Sequence, residues 1–228
     1  MATPSERLYP QVRSAVENTP AATTRTRTRI LATLAIVPVL TTLVGLIASE
    51  WVYGQPAAGL GIDVASPSAA LTTLALLAGL ALASTLFALS QGRGGLGIAA
   101  TWLVSIAALV VPVYAVLTVL QPLHSGAADD VAFTGVAISP WGWRCIFIAT
   151  LVSASTMAIF AVALRRAVAA ASGLRGAALG AAAGAWGGLA VFAFCPSGEL
   201  QHLLVGHVLP IALFTLLGGV VLTKVIRP

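Results

Sequence analysis

Six continuously apolar runs, at about 30–51, 68–89, 96–120, 143–164, 174–195 and 201–225, decide what this chain can fold into. Each is close to the ~20 residues that cross a ~30 Å hydrocarbon core as a helix. A backbone surrounded by lipid must satisfy its own hydrogen bonds, so only helices and closed barrels span a membrane. The runs lack the two-residue alternation of barrel strands, which leaves helices. The predicted fold class is all-α, a polytopic membrane bundle of six transmembrane helices. Composition points the same way: 8% of residues are charged, against roughly 25% in a soluble domain. The first run starts only at Ile30 and is long enough to span, so it is expected to stay in the mature protein rather than be cleaved as a signal sequence.

Basic residues then orient the bundle. In a six-span arrangement every Lys and Arg except Arg144 falls on the side of the two termini. Lys and Arg are retained on the cytoplasmic side, so both termini are expected in the cytoplasm. Glu50, Asp63, Asp129, Asp130 and Glu199 fall on the outer side. The net charge of +5 therefore reads as cytoplasmic loops and a polar tail, with no direct nucleic-acid binding. Two units follow: a cytoplasmic tail over 1–29 and a transmembrane domain over 30–228.

The chemically dense stretch is Cys195-Pro-Ser-Gly-Glu199-Leu-Gln-His202-Leu-Leu-Val-Gly-His207. The only other cysteine, Cys145, opens the fourth span, and it and Cys195 are equally far along the chain from the turn centred near Ala170. On antiparallel neighbours equal distance from the turn means equal depth, so both sulfurs are expected at the outer surface, near enough for pairing if their faces meet. Glu199 and His202 lie three apart, on one face of a helix. His207 is five residues past His202, about 140° away on an α-helix, so both rings converge on one ion only if the helix start is irregular. Alternatively, the His207 ring bonds a carbonyl freed by a kink at Pro210. Pro38 and Pro112 should bend their own spans in the same way. Three readings of the cysteines stay open at this point: a redox-active pair, a soft-metal site for zinc, copper(I) or cadmium with Glu199, His202 and His207 as accessory ligands, and a permanent disulfide or inert thiols.

Two further patterns concern packing and partners. Gly176, Gly180, Gly184 and Gly188 repeat every four residues and draw a face without side chains along the fifth span, which lets helices approach closely in lipid. In the tail, Leu8, Val12 and Val16 form one apolar stripe, with Arg13 and Glu17 elsewhere on the wheel, and Pro20 ends the pattern. A single stripe on a segment too short for its own core needs a protein groove or a membrane surface. Arg25, Arg27 and Arg29 read as a topology anchor at anionic headgroups.

Six helices after a short cytoplasmic tail, Arg144-Cys145 opening the fourth helix and Cys195-Pro196 closing the fifth together resemble the NrsF family of bacterial membrane anti-sigma factors. The resemblance implies a non-enzymatic protein of the bacterial cytoplasmic membrane. It would hold an extracytoplasmic-function (ECF) sigma factor at its cytoplasmic part, with the tail residues Leu8, Val12, Arg13 and Val16 as the binding candidates, and release it on a stress signal. It also implies that Cys145 and Cys195 are the sensors. Two alternatives compete with it. A rhomboid-like or other intramembrane enzyme would pair Ser153 or Ser155 with His207, although no Gly-x-Ser-Gly turn or His-Glu-x-x-His motif is present. A small-molecule or metal transporter would carry charges or broken helices at mid-membrane.

Overall fold

A computed structural model of the chain describes residues 67–89, 100–120, 140–164, 172–195 and 200–226, and part of 32–47. The tail over 1–29 with Leu8, Val12, Arg13 and Val16, the residues around Glu199, and Pro38 lie outside the described residues. All described elements are helical. The described positions between 32 and 47 form α1, followed by α2 (Pro67–Leu89), α3 (Ala100–Leu120), α4 (Pro140–Leu164) and α5 (Ser172–Phe194). The last helix, α6, runs through five consecutive segments: α over Leu200–His202, π over Leu203–Val208, α over Leu209–Leu217, π over Gly218–Leu222 and α over Thr223–Ile226. Five of these helices, α2 to α6, are long and apolar enough to cross a membrane.

Local sequence explains where the helices begin and end. Pro67 and Pro140 open α2 and α4, in the first turn, where a missing N–H costs nothing. Cys195 closes α5 with its N–H donating to the Val191 carbonyl at 2.8 Å, and Pro196 cannot continue the ladder. Pro112 sits inside α3, which continues as helix on both sides of it. Hydroxyls within the spans turn back onto their own helix: Thr85 donates to the Ala81 carbonyl at 2.7 Å, and Ser155 to Val152 at 2.9 Å. Such bonds satisfy a polar group where lipid offers no partner.

Helix α5 is the axis of the bundle, packed against α2, α3, α4 and α6. Its span is 83% buried, whereas α3 is 22% buried. The cause lies in side-chain size. α5 presents Gly and Ala on almost every side, so four neighbours can approach its backbone, and many large apolar residues of the outer helices are left exposed on the outside of the bundle. The glycine repeat meets α6 in antiparallel order. A β carbon on Gly176 would meet the Gly218 carbonyl, one on Gly180 the Phe214 carbonyl, and one on Gly184 the Ile211 Cα at 2.7 Å. Gly188 turns toward Tyr114 of α3, whose hydroxyl donates to the Gly188 carbonyl at 2.7 Å. Across the bundle, the Trp186 indole N–H donates to the Thr85 hydroxyl at 3.0 Å. These two bonds tie α2 and α3 to the central helix.

Candidate functional site

The first turns of α4 and α6 meet the last turn of α5 at one end of the bundle. There Cys145, Cys195, His202 and His207 come together, and all four are buried. The two thiols are not joined as a disulfide: the Cys145 thiol donates to the Cys195 sulfur at 3.4 Å, and His202 Nε2 lies 3.0 Å from the Cys195 sulfur. One ligand atom from each of the four residues falls within 4.8 Å of every other. The imidazole rings of His202 and His207 stand edge to face, with centroids 5.5 Å apart and planes at 69°.

Backbone irregularity makes the histidines converge. Between them α6 is a π-helix over Leu203–Val208, and at its end the Leu209 N–H bonds back five residues to the Leu204 carbonyl. With hydrogen bonds spanning five residues, side chains five apart return to nearly the same face. His202 and His207 are five apart, so the wider turn aligns what an α-helix would splay by about 140°. Pro210 supplies a reason for the turn to sit here. It has no N–H to offer the Gly206 carbonyl, and its ring crowds the preceding turn. Gly206 itself is needed at the cluster, because a β carbon there would lie 3.2 Å from Cys145 Cβ and 3.6 Å from His202 Nε2.

The kink does not explain the His207 ring in the way its position near Pro210 suggests. Neither ring nitrogen has a hydrogen-bond partner, although the residue is fully buried. The same observation bears on the serine alternative. Ser153 Oγ has no partner, Ser155 Oγ is bonded to Val152, and His207 therefore bonds neither, so no serine–histidine pair exists among the described residues. Gly176, Gly180, Gly184 and Gly188 lie on α5 away from this chemistry, as contacts of α6 and α3.

Sequence spacing brought Cys145 and Cys195 to one depth, but which of their neighbours would join them depended on the π turn. A proline three residues after a histidine, with a second histidine five before the first, is the trace that turn leaves in the sequence.

Comparison with known proteins decides the family. A family model described as negative regulator of sigma F, NrsF, matches residues 15–227, nearly the whole chain. The chain belongs to the NrsF family. No curated protein and no solved structure matches it. Negative regulation of a sigma factor is thus the family's description, and membrane-spanning helices are compatible with it.

Proposed function

We propose that this NrsF-family chain is a multi-pass anti-sigma factor of the bacterial cytoplasmic membrane that holds an ECF sigma factor at the cytoplasmic face and releases it when a stress signal reaches Cys145 and Cys195 at the outer face. The family match over 15–227 carries the regulatory part of this reading. The adjacent thiols, 3.4 Å apart, carry the sensing part, since oxidation or a soft cation would each change the contacts that join α4, α5 and α6. With six spans and both termini inside, the cluster and the tail lie on opposite sides of the membrane, as a signal-transducing protein requires.

Leu8, Val12 and Val16, with Arg13 beside them, form the sigma-binding stripe, because an amphipathic segment without a core of its own gains by laying that stripe into a groove. Replacing Leu8, Val12 and Val16 together with Asp should abolish co-purification of the sigma factor from solubilised membranes and raise transcription of its target genes, with protein levels unchanged. Full capture by the triple variant would move binding to the loops around Arg93 or Arg165, and absence of any sigma factor in the wild-type eluate would reject the anti-sigma reading.

A further inference from the structure

We propose that Cys145, Cys195, His202 and His207 form one closed, four-coordinate site for a single divalent d10 cation, zinc being the ordinary one. The meaning of that ion as a signal rests on the anti-sigma reading above, whereas the binding itself requires no sigma factor.

Geometry is the first support. A tetrahedral zinc with sulfur at about 2.3 Å and nitrogen at about 2.0 Å holds its sulfurs about 3.8 Å apart and its unlike ligands about 3.5 Å apart. In this bundle the sulfurs are 3.4 Å apart, the Cys195 sulfur is 3.0 Å from His202 Nε2, and no pair in the set exceeds 4.8 Å. Adjustments of about an ångström in side-chain torsions would bring the four atoms onto a common centre.

The unbonded ring of His207 is the second and independent support. The fully buried His207 ring makes no hydrogen bond of good geometry, and the polar groups it faces are the other members of the cluster, Cys145 foremost, which is an unfavourable arrangement for a buried imidazole by itself. A bond from one nitrogen to a cation would remove that penalty. A disulfide would not, because joining Cys145 to Cys195 uses both sulfurs and leaves two buried rings packed around a group that needs neither.

Charge selects the cation. On binding, the two thiols would lose two protons, and two thiolates with two neutral imidazoles then balance a divalent ion, leaving the site neutral. Neutrality matters at the edge of a hydrocarbon layer, where a net charge is costly. Copper(I) in the same four ligands would leave one negative charge uncompensated. Among the described residues the site is also closed in: all four ligands are buried, and a β carbon on Gly206 would lie 3.2 Å from Cys145 Cβ. Closed cysteine–histidine sites hold helices together; catalytic zinc sites keep a position for water.

The test uses the full-length protein in detergent, stripped with a chelator and reduced, then titrated with zinc alone against a chromophoric competitor. One zinc per chain is expected. Cobalt in its place should give a thiolate-to-metal charge-transfer band that both Cys145→Ser and Cys195→Ser lose. His207→Ala should weaken zinc binding at least about tenfold, the minimum loss seen even for residues outside the first ligand layer. His207→Cys restores a ligand and should again take up one zinc, which separates loss of a ligand from loss of the fold. Cadmium should displace zinc one for one. Zinc affinity unaffected by His207→Ala, or no uptake by wild type with both thiols reduced, would overturn the site. So would tighter copper(I) binding that ignores His207→Ala, since that describes a two-thiolate site. Sigma-factor capture measured on the same preparations keeps the two proposals apart: normal zinc uptake without capture rejects the anti-sigma reading, and capture without uptake rejects this one.

Discussion

The two π segments of α6 do opposite things with the same irregularity. At Leu203–Val208 the wide turn gathers side chains, bringing His207 into line with His202 beside Cys145 and Cys195. At Gly218–Leu222 the helix runs where side chains are missing, with Gly218 seated on the backbone of Gly176 and Gly180. One end is held by what its side chains can bond, the other by how closely two backbones approach. It follows that the glycine end should tolerate changes in chemistry and reject any increase in size, while the cluster end should tolerate a size-matched change in its fold and lose its ligand.

The largest effect should fall at the glycine end. A β carbon on Gly180 would overlap the Phe214 carbonyl and lie 3.1 Å from the Gly218 Cα, so the backbones of α5 and α6 would have to separate. Both obstacles are backbone atoms, which cannot rotate away. Gly180→Val should cost about 3 kcal/mol or more in unfolding by a denaturing detergent, beyond the ordinary range for overpacking. Gly79→Val is the control: it is exposed on α2, with nothing within 4 Å of its added β carbon, and should change stability by no more than about 0.5 kcal/mol. Equal behaviour of the two variants would break the comparison, because the α5–α6 contact would then not depend on close approach.

A smaller but more specific effect belongs to the cluster end. Ser has nearly the shape of Cys, so metal-free Cys195→Ser should unfold within about 1 kcal/mol of metal-free wild type. Zinc at a hundred times its dissociation constant should stabilise wild type by about 2.7 kcal/mol, and the variant by much less. Zinc-independent stability in both proteins would contradict a metal that joins α4, α5 and α6. A variant that fails to fold even without metal would show that this end, too, depends on packing alone.

Much of this arrangement was legible in the sequence because it follows from local rules. Apolar runs of spanning length mark the helices, and α2 to α6 form where those runs lie. Equal distance from one turn put Cys145 and Cys195 at one depth, which needs only antiparallel neighbours and a rise per residue. The rest depends on contacts between helices. A four-residue glycine repeat says that something packs closely, but not that α6 covers Gly176 to Gly184 while Gly188 turns to Tyr114. Nor does spacing show that His207 joins the thiols, because that depends on a backbone widened between two residues that α-helical geometry holds apart. Those details reside in the balance between a lost proline hydrogen bond and the packing of four helices, which no single segment encodes.

The smallest effect tests where one end stops and the other begins. Tyr114 packs where the glycine repeat ends: its ring fills the space beside Gly188, the last glycine of the repeat, and its hydroxyl donates to the Gly188 carbonyl at 2.7 Å in a fully buried contact. Tyr114→Phe keeps the ring and deletes only that bond. The Gly188 carbonyl stays within the ladder of α5, where a helical carbonyl already accepts from the backbone four residues on, so it is not left bare. The cost should therefore be about 0.6 to 1 kcal/mol, the usual net worth of one such bond in a membrane bundle. If Tyr114 serves packing alone, zinc affinity should stay within about twofold of wild type, a difference worth under about 0.5 kcal/mol. A tenfold loss of zinc affinity with that same small change in stability would give the hydroxyl a different role. Tyr114 would then be a positioning residue that holds α5 at the height its closing cysteine needs, and the boundary between the two ends would shift one turn down the bundle.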